Sequence, residues 1–81
     1  MEQLNRIQLR GIIGSLRITE VQGKRLARIS VATNYCFRDA EGGAVIETTW
    51  HNVTAWEKGP YVTDFDKLEK GKAVFVEGRL V

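Results

Sequence analysis

From residue 4 to residue 16 the chain alternates, with Ile7, Leu9, Gly11 and Ile13 on one parity and Arg6, Gln8, Arg10 and Ile12 on the other. A period of two marks a strand with one buried and one wet face. Gly11 and Gly14 allow this strand to bend. Residues 18–24, with Glu20, Gln22 and Gly23, predict a hairpin connection into a second strand over residues 25–37. There Ala27, Ile29, Val31 and Thr33 share one face and Arg28, Ser30, Ala32 and Asn34 the other, so Arg28 projects away from the core. The polar stretch 38–43 ends in Gly42-Gly43 and predicts a loop between antiparallel strands. After a third strand over 46–56, Gly59-Pro60 suits a helix start, and Val62, Phe65 and Leu68 form one apolar stripe that Gly71 ends. Residues 72–80 alternate again and predict a fourth strand.

The third strand holds both tryptophans and the only histidine. One parity carries Ile46, Thr48, Trp50, Asn52, Thr54 and Trp56, and the other Thr49, His51, Val53 and Ala55. If Val53 and Ala55 face the core, both tryptophans stand on the polar face. Large aromatics on a wet face mark a surface that binds something, or one that packs under a loop or a second subunit. Strict alternation sends Phe37 inward after Val31, but strand ends bulge and twist, so its direction stays open at this level.

The order strand, strand, strand, helix, strand is that of the OB-fold, an all-β Greek-key barrel with a helix between strands three and four, lacking here its fifth strand. Without repeat or linker, residues 1–81 read as one such domain, truncated at its C-terminal end, whose open edge is covered by another chain, left to solvent, or filled by sequence beyond this stretch. A core this small also gains from a partner subunit. A net charge of +2 is too weak to identify a nucleic-acid binder, so the placement of charge matters more than its sum. The chain shows no apolar run able to span a membrane and no secretion signal, which makes a cytoplasmic setting the default. Cys36 is the single cysteine, which excludes an intrachain disulfide and a multi-cysteine zinc site, and no cofactor or metal is expected.

Four strings in order resemble the bacterial single-stranded DNA-binding protein family: Asn5-Arg6-Ile7-Gln8-Leu9-Arg10-Gly11, Ala27-Arg28-Ile29-Ser30-Val31-Ala32-Thr33, Thr49-Trp50-His51-Asn52-Val53, and Lys70-Gly71 followed by Val74-Phe75-Val76-Glu77-Gly78-Arg79-Leu80. The resemblance is collinear from Asn5 to Leu80. It implies sequence-tolerant binding and protection of single-stranded DNA in replication, recombination and repair, by a cytoplasmic homo-oligomer, most often a tetramer. By position it implies base stacking on Phe37, Trp50 and Trp56, which turns Phe37 outward. Basic contacts fall on Arg6, Lys58 and Lys70, with Arg28 and Arg38 as neighbours, and His51 takes a role in assembly. The family's fifth strand and its acidic tail are missing, so tail-dependent protein partners are not expected for this chain as written.

On this reading bases lie on the aromatic rings while Asn52 and Thr54 hydrogen-bond to phosphate or base edges. Trp50 and Trp56 are six positions apart, about 20 Å on one strand, so they engage separate nucleotides. An enzyme is the first rival, but the lone imidazole of His51 faces Val53 and Ala55, a poor place for a general base, and no phosphate loop is present. The stronger rival is an SSB-like protein-interaction module of the primosome or recombination accessory kind, whose open edge pairs with a partner's strand. Arg6 and Arg10 fit either DNA contact or subunit joining.

Overall fold

The computed structural model describes residues 2–57 and 64–81. Alternating apolar residues build four antiparallel strands, β1 (Ile7–Val21), β2 (Lys24–Arg38), β3 (Ala44–Trp56) and β4 (Ala73–Gly78). They form one sheet in the order β3-β2-β1-β4. Both long hairpins therefore join neighbours in sequence, and β4 returns to the far side of β1.

Two expectations are corrected. β1 does not stop near Leu16; its ladder with β2 continues to the pair Val21↔Lys24. Gln22 and Gly23 then turn the chain alone, with φ of 52° and 79°. Positive φ at both central residues is the type I′ signature, whose twist matches that of the strands it joins. The helix expected before β4 is, within the described residues, one 3-10 turn at Phe65–Lys67. Asp64 caps it by accepting from the backbone N–H of Asp66, and Phe65 plugs into the interior at 2% exposure. The rest of the expected helix, from Gly59 to Val62, lies outside the described residues.

The ladder between β1 and β2 slips by one residue between Ile13 and Ser15, a bulge at Gly14. Ile13, Ile29 and Val31 make the buried cluster, with Leu16, Val53, Leu68, Val74 and Val76 packed against it. At Gly11 a Cβ would lie 2.2 Å from the carbonyl oxygen of Ala32, so only glycine lets β1 curve this closely over β2. The β2–β3 hairpin runs on beyond this core, giving overall dimensions of 55 × 40 × 18 Å. Among the described residues its outer half faces no second layer, so parity there no longer decides burial.

Arg25 fastens the start of β2 to the segment after β3. Its guanidinium donates to both carboxylate oxygens of Glu57 and to Asp66, with Asp64 3.7 Å away, and it lies over the Phe65 ring. Glu57 also accepts from the backbone N–H of Phe65.

Candidate nucleic-acid interface

Ladder partners project from the same face of a sheet, so the register assigns every strand residue a side. Trp50 opposes Ala32 and, across it, Ile12. The next rows of this face are Asn52–Ser30–Ser15, Thr54–Arg28–Arg17 and Trp56–Leu26–Thr19, and the last is the pair Lys24–Val21. Rows are about 7 Å apart and strands about 5 Å apart, so the arginine row lies between the indoles, nearer Trp56. Trp50 is 60% exposed and Trp56 45%. Neither is sealed in the interior.

Trp50 is held from below. A Cβ built on Gly14 would fall 2.2 Å from Cζ3 and 2.6 Å from Cη2 of the indole, and 3.2 Å from the Ser30 hydroxyl. The ring thus reaches across β2 onto the bulge of β1, where the absent side chain leaves it room. The Ser30 and Ser15 hydroxyls bond to each other at 2.7 Å on the row beside it. The opposite side of the ring is left to solvent.

Charge is divided unevenly between the two sides of β1–β3, while β4 adds Glu77, paired with Arg6, to the tryptophan side. On the tryptophan side β1, β2 and β3 present Arg10, Arg17, Lys24, Arg28 and Arg38 and no carboxylate, whereas Glu20 and Glu47 point to the other side. Among the described residues, none of these five cations forms an ion pair. Arg17 and Arg28 are direct cross-strand partners, an arrangement that costs stability through like-charge repulsion and is relieved by a polyanion. Arg10 stacks over the exposed ring of Phe75, 5.7 Å from its centroid.

The other expected residues are spread around this centre. Asn52 and Thr54 are exposed on the tryptophan side. Arg6 lies at the start of β1, where Glu77 takes its charge at 2.9 Å while also accepting from Gln8. These bonds, that from Arg6 first, hold the Glu77 carboxyl below the usual carboxylate range and raise the pKa of Arg6. Arg38 closes the β2–β3 loop by donating to the Gly42 carbonyl at 3.3 Å. Lys70 is exposed in the turn before β4, which is fastened to β1 where the Gly71 N–H donates to the Ile13 carbonyl. That places its backbone beside the bulge under Trp50. Lys58 lies outside the described residues.

Phe37 opposes Val45 in a ladder that runs without a slip from Leu26↔Trp56 to Arg38↔Ala44, so it keeps the parity of Val31 and His51. It is nonetheless 40% exposed, out on the arm, with Tyr35 beside it at 6.0 Å between ring centroids. The structure therefore brings Trp50, Trp56, Arg28, Asn52 and Thr54 together on one side and sets Phe37 apart on the arm. His51 is half-buried on the side away from the tryptophans, its Nε2 2.9 Å from the Thr33 hydroxyl.

A curved sheet of this order, with rings and cations ranged along one side, is the oligonucleotide-binding type of architecture. The chain belongs to the single-strand binding protein family, whose model matches residues 4–81. It is 33% identical over 79 residues to single-stranded DNA-binding protein 1 of Chlorobaculum tepidum, covering 95% of this chain and 48% of the relative. The single-stranded DNA-binding protein of Neisseria meningitidis is 36% identical over 81 residues, covering 95% of this chain and 45% of the relative. The mitochondrial protein of Danio rerio is 31% identical, with coverages of 98% and 60%. The chain thus spans about half the length of the curated relatives it matches. Among solved structures, the Plasmodium falciparum SSB in complex with ssDNA superposes with a TM-score of 0.73 at 30% identity, over 98% of this chain and 71% of that one.

Proposed function

We propose that this chain binds single-stranded DNA with little regard to sequence, laying bases on Trp50 and Trp56 and phosphates along Arg17 and Arg28. The observation that carries this reading is the side of the sheet on which both indoles stand with five cations that have no ion-pair partner among the described residues, and with no carboxylate from β1–β3. Rings accept any base because every base has a π-face, and arginines accept any phosphate. A duplex hides its bases in its own stack and offers the rings nothing, which gives the preference for single strands. Asn52 and Thr54 stand between the rings and supply hydrogen bonds to the strand. Phe37, with Tyr35 beside it, offers a further aromatic surface where the strand leaves the sheet along the arm, next to Arg38. Arg6 and Lys70 border this path at β1's start and beside its bulge; Lys58 follows Trp56 in sequence.

Family membership supports a role in covering exposed strands during replication, recombination and repair, without catalysis, and a cytoplasmic site of action. It also supports assembly of several copies, a tetramer in this reading, with His51, on the side away from the tryptophans, taking part in subunit contact; the mass in solution decides this. The binding itself is tested by titrating the chain with oligo(dT). Indole fluorescence should be quenched, and Trp50→Ala and Trp56→Ala should each weaken binding by roughly 1–3 kcal/mol, alike for different base compositions. Unchanged fluorescence at saturating oligonucleotide and low salt would rule the reading out.

A further inference from the structure

Beyond Trp56 the tryptophan side does not end flat. Val21, Gln22, Lys24 and Trp56 enclose an open recess of about 480 Å³ at the tip of the β1–β2 hairpin. Val21 and Lys24 are the last ladder pair and share the parity of Leu26 and Trp56, so the recess continues the line of rows from Trp50. Its walls differ in chemistry. The indole and Val21 are apolar, the Gln22 amide carries both donors and an acceptor, and Lys24 brings a cation with no carboxylate partner among the described residues.

We infer that this recess is a nucleotide subsite, in which one unpaired base enters between Trp56 and Val21, Gln22 hydrogen-bonds to its edge and Lys24 takes its phosphate. This rests on the single-strand reading above and adds to it a walled position where the rest of the sheet offers open rings. The volume lies within the range of small-ligand sites, and a largely apolar concavity with a few converging polar groups is their usual make-up. The backbone adds an independent argument. Gln22 holds φ of +52°, a conformation that glycine adopts freely and asparagine tolerates, so the turn by itself favours another residue there. A long amide kept at that cost points to work done by the side chain. Its amide can pair with any base by rotating, so the subsite imposes no sharp sequence preference.

The test uses the whole chain with a single indole. With Trp50→Phe, Trp56 alone reports, and oligo(dT) should quench it. Adding Lys24→Glu should weaken that response about tenfold at low salt, because one phosphate is deprived of its cation and meets a repelling charge instead. Lys67→Glu, an equal change of net charge on the 3-10 turn, should leave it near the parent value. Gln22→Gly relaxes the turn, so the hairpin keeps its shape, and it should still weaken binding about threefold, the loss of one hydrogen bond. Equal midpoints for Lys24→Glu and Lys67→Glu, with parental binding in Gln22→Gly, would overturn the subsite and leave the single-strand reading standing. If neither the Trp56 reporter nor the converse Trp56→Phe chain responds to oligo(dT), both fall together.

Discussion

On the proposed reading the flat face of Trp50 depends on an atom missing beneath it, the Cβ that Gly14 lacks. The φ of Gly14 is not positive, so its backbone allows alanine, but the added methyl would meet the indole at 2.2 Å. Gly14→Ala is therefore expected to fold and to lift or turn the ring off the bulge, where it can no longer offer the same flat face. Its affinity for oligo(dT) should fall about fivefold to tenfold, less than for Trp50→Ala, with a shifted Trp50 emission before any DNA is added. Full affinity with an unshifted spectrum would show that the ring does not depend on this contact. The bulge also explains what was legible at this scale. Alternation alone sends both tryptophans, Asn52 and Thr54 to the wet face, and the ladder places them there. Arg17 was invisible to the same reading. Unbroken alternation sets it with Ile13 on the core side, and only the slip at Gly14 returns Ser15, Arg17 and Thr19 to the face of Ile12.

At the scale of elements, short-range pattern revealed the strands, their order and the loop at Gly42-Gly43, because each depends on period and turn chemistry. The turn at Phe65–Lys67, within the described part of the connection between β3 and β4, was less legible, since it is held by contacts distant in sequence. Arg25 ties Glu57, Asp64 and Asp66 to the start of β2, and Phe65 is buried beneath its guanidinium. A stripe of three apolar residues resembles a helix face, but Phe65 serves as a plug beside an ion-paired clasp. The hydrogen bond from Arg25 lowers the pKa of Glu57 below its ordinary 4.5, and that from Phe65 N–H adds to it against some desolvation. A carboxylate with a depressed folded pKa stabilises the fold above its unfolded pKa, and that contribution is lost as pH falls through the folded value. Glu57→Gln should thus melt below the parent at pH 7, and the gap between the two melting curves should narrow as the pH falls below 4.5 and through the depressed folded value. A constant gap down to pH 3 would mean that packing, and not charge, accounts for the difference.

For the molecule as a whole, a net charge of +2 conceals a polarised sheet. Composition could not show this, because the sum merges Glu20 and Glu47, which share one side of β1–β3 with Arg25, with Arg10, Arg17, Arg28 and Arg38 on the other, and the assignment to sides needs the register. The polarised arrangement has opposite consequences for folding and for binding. Arg17 and Arg28 repel each other in the free chain, so Arg17→Ala should leave the melting temperature unchanged or raise it at low ionic strength. On the proposed function the same arginine, in the complex, displaces a counterion from the strand. Each phosphate neutralised on single-stranded DNA contributes about −0.7 to the slope of log K against log salt, so Arg17→Ala and Arg28→Ala should each make the slope shallower by about that amount. The loss should be equal on oligo(dT) and oligo(dC), since a phosphate contact carries no base identity. Lys67→Ala, on the 3-10 turn, serves as the matched control and should keep the parental slope. A peptide-binding module built on the same sheet would show no such proportionality, because it releases no condensed counterions. An unchanged slope in both arginine variants would move the strand's path off this side of the sheet, whereas a slope lost together with melting temperature would assign the pair to folding instead.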